Sequence, residues 1–112
     1  MIHAMSFRSL EPAQAISELR TEPSLRILDV RTQPEYDVHH LENAELVPIQ
    51  ELADRVDQLD PNASWLVLCE HGVRSYAACE FLTSLGFQDV RNVGGGMARW
   101  ISEGLPLDPG AS

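Results

Sequence analysis

The stretch Cys69-Glu70-His71-Gly72-Val73-Arg74-Ser75 puts a thiol directly after the apolar run WLVLC and directly before a polar turn. A cysteine that only fills a core needs no such setting. Gly72 can take a backbone conformation closed to other residues, and Arg74 brings a fixed, forked positive charge. When such a turn opens a helix, successive backbone N–H groups point into one concavity, and the helix start adds about half a positive charge behind them. A thiolate is stabilised there, so the chemistry this stretch suits is nucleophilic attack by the Cys69 sulfur.

The elements that must position the loop follow from periodicity. Apolar, β-branched runs at 25–30 (LRILDV), 45–48 (ELVP), 65–69 (WLVLC) and 89–93 (DVRNV) read as short buried strands. Helical spacing joins Ala13, Ile16 and Leu19 after Pro12, then Leu52, Val56 and Leu59, then Ala77, Ala78, Phe81, Leu82 and Leu85 after Arg74. A last helix carries Met97 and Trp100 before Gly104 and Pro106 stop it. Strands alternating with helices predict a parallel sheet covered on both faces. CEHGVRS then connects the carboxyl end of a central strand to the next helix, which is where open α/β sheets bind ligands.

Composition narrows the function classes. A chain of 112 residues, 44% hydrophobic, builds one proper core and leaves little for a second, so a single domain over 1–112 is expected, with its core at about 6–107. Seventeen acidic residues oppose eight arginines, for a net charge of -9, which argues against nucleic-acid or anionic-membrane partners. Nine of the acids fall between Asp29 and Asp60, where only Arg31 and Arg55 oppose them, and predict one strongly negative surface. That face is either simply solvated or a contact for a basic partner. No run approaches the roughly 20 apolar residues of a membrane span, and the start lacks an apolar signal core. With only Cys69 and Cys79 as thiols, a soluble protein of the reducing cytoplasm is expected. His39, His40, Cys69, His71 and Cys79 show none of the usual zinc spacings, and GGG at 94–96 lacks dinucleotide spacing, so neither a metal nor a cofactor is expected.

Three stretches together, ILDVRTQPEYDVHHLENAELVPI at 27–49, LCEHGVRS at 68–75 and LGFQDVRNVGGGMARW at 85–100, resemble the rhodanese family of sulfurtransferases over nearly the whole chain. The resemblance implies a small doubly wound sheet of about five strands flanked by helices. It also implies that Cys69 carries sulfur as a persulfide, taken from thiosulfate or another sulfane donor and passed to cyanide or a thiol. Four residues separate Cys69 from Arg74, whereas the related phosphatases have one more and so a cradle wide enough for a phosphoryl group. The shorter loop suits a single sulfur atom. A second function class, a persulfide carrier or interaction module whose donor or acceptor is another protein, is motivated by Glu70 and the acidic segment.

Each residue also has a plainer role. Glu70 beside the pocket repels a dianion such as thiosulfate. His71 either binds a donor's sulfonate or is merely exposed, and Arg74 either contacts substrate or ties the loop to a carboxylate. Gly72, Val73 and Ser75 complete the expected sulfur-binding loop. Asp29, Arg31 and Glu35 follow the family's D-V-R-x-x-x-E pattern, with Arg31 expected to brace its turn by pairing with Glu35. His40 is expected as support. His39, Leu41, Glu42 and Asn43 depart from the family's usual G-H-I-P-G run, and Asn43 is suited to a left-handed turn. Cys79, off the Ala77–Leu85 stripe, is expected on the helix flank and not as a disulfide partner of Cys69.

Overall fold

The computed structural model describes residues 6–110, so residues 1–5 and 111–112 of the expected 1–112 domain lie outside the described residues. In chain order the elements are β1 (Arg8–Leu10), α1 (Pro12–Thr21), β2 (Arg26–Asp29), α2 (Gln33–Val38), β3 (Ala44–Leu46), α3 (Ile49–Arg55), β4 (Ser64–Leu68), α4 (Val73–Ser84), β5 (Asp89–Val93) and α5 (Gly96–Ser102). A 3₁₀ turn at Val56–Gln58 extends α3. The five strands form one sheet in the order β1-β5-β4-β2-β3, with every pairing parallel.

Strand alternation explains the two layers. Trp65, Val67 and Cys69 join Leu28 and Val30 in a core with Leu52 of α3 and Ala78, Cys79 and Leu82 of α4. Leu66 and Leu68 point to the opposite face and pack with Ala15 and Ile16 of α1 and Met97 and Trp100 of α5. Both faces of β4 are therefore buried, which is why its sequence is a continuous apolar run. The chain moves outward from β2 to β3 and returns to β4 on the other side of β2, so the direction of winding switches between β2 and β4. At that seam Asp29 is in register with Leu68, and the Val30 N–H donates to the Leu68 carbonyl at 3.0 Å. Arg31 and Cys69 thus leave the sheet side by side at its carboxyl edge.

The structure departs from the sequence expectations in specific places. The strand periodicity marked four strands; the fifth, β1, is a three-residue edge strand whose Arg8 and Ser9 are exposed. Helix α2 also went unmarked, although Thr32-Gln33-Pro34-Glu35 is a capping box with proline in the first turn. Cys79 is fully buried and not on a flank. The face of α4 that meets the sheet is Ser75, Ala78, Cys79 and Leu82, and Ala77 and Leu85 turn to solvent. Strand β5 is less apolar than expected, since it buries Arg91 and Asn92. Arg91 is held by Asp89, Glu18 and Glu22 at 2.6–2.8 Å.

The expected negative face is also smaller than the acid count implied. Asp29 is buried against Arg31, while Glu35, Glu45 and Glu51 pair with Arg74, Arg26 and Arg55.

Candidate functional site

Cys69 follows β4 immediately, and the chain turns at Gly72 into α4. Gly72 has φ +88, and a Cβ there would lie 2.9 Å from the Gly95 nitrogen, so both conformation and space demand glycine. The turn brings two backbone donors to the sulfur: Gly72 N–H at 3.1 Å and Ser75 N–H at 3.3 Å from Cys69 Sγ. The thiol itself reaches the Ser75 hydroxyl at 3.3 Å. Cys69 is only 1% exposed, so space beside its sulfur is small.

The back of the loop is closed by α5. The Met97 and Ala98 N–H groups donate to the carbonyls of Cys69 and Glu70 at 2.9 and 3.0 Å. With those carbonyls engaged on one side, the loop N–H groups are left to the other. Gly96 makes the approach possible, because a Cβ there would sit 2.4 Å from the Cys69 carbonyl oxygen. The GGG run therefore does more than turn the chain: it lets one helix start dock on the back of the thiol loop.

Charged residues brace the loop from β2 and α2. Arg31 is fully buried and donates through Nε and Nη2 to the Asp29 carboxylate at 2.8–3.1 Å. Its Nη1 reaches Glu70 at 3.2 Å and the Glu35 carbonyl at 3.3 Å, and Nη2 reaches the His39 carbonyl at 2.8 Å. The expected pairing with the Glu35 carboxylate is not made. Asp29 precedes Arg31 on the same strand end and takes the guanidinium first, while Glu35 is drawn to its own helix start and to Arg74. Burial works against the Arg31 charge, but the Asp29 and Glu70 carboxylates outweigh it, and its pKa is raised.

Glu35 accepts from Arg74 Nη1 and Nη2, both at 2.8 Å, and from the Thr32 N–H at 2.9 Å. The Arg74 bond, with Thr32, holds the Glu35 carboxyl down to about 2 against the opposing effect of burial. Arg74 is raised in turn, by Glu35 first, with Cys69 and Glu70 adding to it. Of its two expected roles, Arg74 has the tie to a carboxylate in this structure. Both arginines at the loop are thus committed to acidic groups. Glu70 is one of those groups, so its charge, expected to face the pocket freely, is partly offset by Arg31.

The remaining expected residues divide. Ser75 is buried against the sulfur, whereas Val73 (76% exposed) and His71 face solvent at the loop's outer edge. His40 supports α2: its ring stacks on Tyr36 with centroids 3.8 Å apart, and Nδ1 lies 2.9 Å from the Tyr36 carbonyl. Downstream, Leu41 is fully buried and Asn43 takes φ +68, the left-handed turn expected of it. Cys79 is buried like Cys69, and that burial pushes its thiol well up, with the neighbouring Cys69 charge adding to that. One site residue was missed altogether. Asn92 of β5 is 3% exposed and accepts from the Ser75 hydroxyl at 2.6 Å. A lone asparagine inside a strand pattern was the only signal for it.

A doubly wound parallel α/β domain with a cysteine at the winding switch, cradled by the loop that opens the next helix, defines the class. Residues 11–103 match the family model described as a rhodanese-like domain. The chain belongs to that family. It is 33% identical over 94 residues to a protein named thiosulfate sulfurtransferase GlpE from Pseudomonas putida, covering 84% of each. A protein of the same name from Vibrio cholerae is 30% identical over 73 residues, 65% of this chain and 69% of the other. Among solved structures, a rhodanese-related protein from Thermoplasma volcanium superposes with a TM-score of 0.81 at 36% identity, covering 89% of this chain and 96% of that one. A rhodanese-like domain protein from Staphylococcus aureus gives a TM-score of 0.79 at 32% identity, with coverage of 89% and 97%.

Proposed function

We propose that this chain is a sulfurtransferase of the rhodanese type, in which Cys69 is the nucleophile and carries sulfur as a persulfide. The observation that carries the reading is the pair of N–H donors, from Gly72 and Ser75, aimed at Sγ at the start of α4. The Cys69 thiolate attacks the outer sulfur of a sulfane donor such as thiosulfate. A new S–S bond forms, the donor's own S–S bond breaks, and sulfite leaves with that electron pair. The anionic terminal sulfur is held by loop donors that need not move to receive it. A cyanide or thiolate acceptor then takes the terminal sulfur and returns the Cys69 thiolate. Two half-reactions through a covalent form imply ping-pong kinetics. On this reading Glu70, His71, Gly72, Val73, Arg74 and Ser75 shape the sulfur pocket, and Asp29, Arg31, Glu35 and His40 hold it.

The reading extends to a single domain built on the described residues and working in a reducing, cytoplasmic compartment, with neither nucleic acid nor membrane as partner. Two free cysteines fit that compartment. Among the described residues no helix is long and apolar enough to cross a membrane.

The test is intact-protein mass spectrometry after incubation with thiosulfate, on the native chain and on Cys69→Ser. A gain of one sulfur, removed by cyanide and absent from the variant, is the expected result; no gain from any sulfane donor sinks the proposal. A second reading, in which the donor is a persulfidated protein or small persulfide, draws on the commitment of Arg31 and Arg74 to carboxylates, which leaves a dianion little to bind. Loading by an organic persulfide but not by thiosulfate favours it.

A further inference from the structure

A chain of polar groups runs from the Cys69 sulfur across the face of the sheet that meets α4, past β5 to β1, where Ser9 is in register with Asn92. The Cys69 thiol lies 3.3 Å from Ser75 Oγ, Ser75 Oγ donates to Asn92 Oδ1 at 2.6 Å, and Asn92 Nδ2 donates to Ser9 Oγ on β1 at 3.1 Å. Ser75 and Asn92 are 0% and 3% exposed, while Ser9 stands at the exposed end. The parity of β5 explains the placement: Asn92 shares with Val90 the face that meets α4, and its neighbours Arg91 and Val93 take the other.

We propose that Asn92 is a positioning residue for the Cys69 sulfur: its side-chain amide, anchored by Ser9, decides whether the Ser75 hydroxyl accepts or gives a hydrogen bond at Sγ. In the arrangement seen, the hydroxyl is spent on Asn92 Oδ1 and offers its lone pairs to the thiol proton. That polarity suits a thiol and opposes a thiolate. Turning the hydroxyl alone toward a thiolate strands Oδ1 without a donor in a buried place, which is unfavourable. Turning the Asn92 amide end for end removes the conflict. Nδ2 then donates to Ser75 Oγ, Ser75 donates to the thiolate, and Ser9 donates to Oδ1, so every group is paired in both states. Both serine hydroxyls can give or accept, and the amide has a donor end and an acceptor end, so the two ends exchange partners and no group outside the chain is needed.

The inference rests on Cys69 being the working thiol, and it is tested without any sulfur transfer. Thiolate formation is followed by ultraviolet absorbance against pH, with Cys69→Ser as the blank. Cys79, buried and pushed up, stays silent. Asn92→Asp keeps the shape but can only accept, which locks the Ser75 hydroxyl away from sulfur. It is expected to raise the titration midpoint by about one pH unit, the size of one net hydrogen bond. In a Ser75→Ala background the same change should move the midpoint by less than half as much. The other charges around the sulfur, Arg74, Glu70 and His71 on the loop, Asp29 at the end of β2, Arg31 just beyond it and Glu35 on α2, are common to all these variants. An equal shift in both backgrounds would make Asn92→Asp a charge felt at a distance and overturn the proposal, as would no shift. Should Asn92→Asp not fold, the native protein still decides: in ¹⁵N-labelled samples the Asn92 amide protons should show their nuclear Overhauser contacts to Ser9 below the midpoint and to Ser75 above it. Contacts that stay with Ser9 on both sides would overturn it too.

Discussion

Both Nη groups of Arg74 end on the carboxylate of Glu35, each at 2.8 Å, so the arginine of the thiol loop serves to clasp α4 to α2. The two residues are 39 positions apart. Glu35 also caps its own helix through Thr32, which means one carboxylate secures a helix start and the loop arginine together.

The clasp predicts a pH-dependent stability. Glu35 is held down to about 2 in the folded chain, from an ordinary value of 4.5. A carboxyl depressed on folding stabilises the fold fully above its unfolded value and loses that contribution as pH falls toward the folded one. Glu35→Ala is therefore expected to cost about 1–2 kcal/mol at neutral pH, a figure discounted because both side chains are partly solvated. The deficit relative to the native chain should shrink below pH 4.5 and approach zero near pH 2. Urea unfolding of both proteins between pH 7 and pH 3 reads the gap, and a constant gap would show that Glu35 acts by packing alone.

Glu70 predicts the response to a dianionic donor. Its carboxylate is offset by Arg31, but Arg31 also answers to Asp29, so this triad carries one net negative charge. Glu70→Gln is expected to lower the KM for thiosulfate roughly three- to tenfold, as removal of one nearby, partly screened charge would, with a smaller change in kcat. Its effect should fade as salt is added. A KM that does not move, measured at low ionic strength, would mean that Arg31 already cancels the carboxylate.

Gly96 predicts that the thiol loop depends on α5. With φ +61 and a would-be Cβ 2.4 Å from the Cys69 carbonyl, Gly96→Ala must push α5 off the loop or strain both. A loss of about 2–4 kcal/mol is expected. Sulfur loading of Cys69 should fall even at temperatures where the variant is folded, because its two loop carbonyls lose their donors. Gly104→Ala, also at positive φ but with nothing within 4 Å, supplies the control for backbone strain alone.

Cys79 predicts a silent thiol. It is fully buried on the sheet-facing side of α4, and burial drives its ionisation upward. Iodoacetamide at mildly alkaline pH should leave Cys79 unmodified in the folded chain and label it on unfolding, as peptide mass mapping would show. Cys79→Ala should leave sulfur loading intact and cost about 1 kcal/mol for the small cavity it opens. Labelling of Cys79 in the folded protein would contradict its placement.

What the sequence alone determined is what local chemistry determines. The strand read at 65–69, the turn at Gly72 and the helix read after Arg74 follow from an apolar run, a glycine and a renewed 3.6 period, and each boundary falls within a residue or two of the observed end of β4 at Leu68 and start of α4 at Val73. The resemblance to rhodaneses, spread over three stretches, carried the five-stranded fold and Cys69. Tertiary structure alone decided the partners. Periodicity gives a helix its faces but not the direction in which the sheet approaches it, so Cys79 went to the core and Ala77 to solvent. A guanidinium is long enough to reach several carboxylates, and which one it takes depends on how close the packed strands and helices bring each; Arg31 went to Asp29 and Glu70, and Arg74 took Glu35. Asn92 joins the thiol only because β5 lies beside β4 with that parity, a relation between chain segments that no single stretch of residues contains.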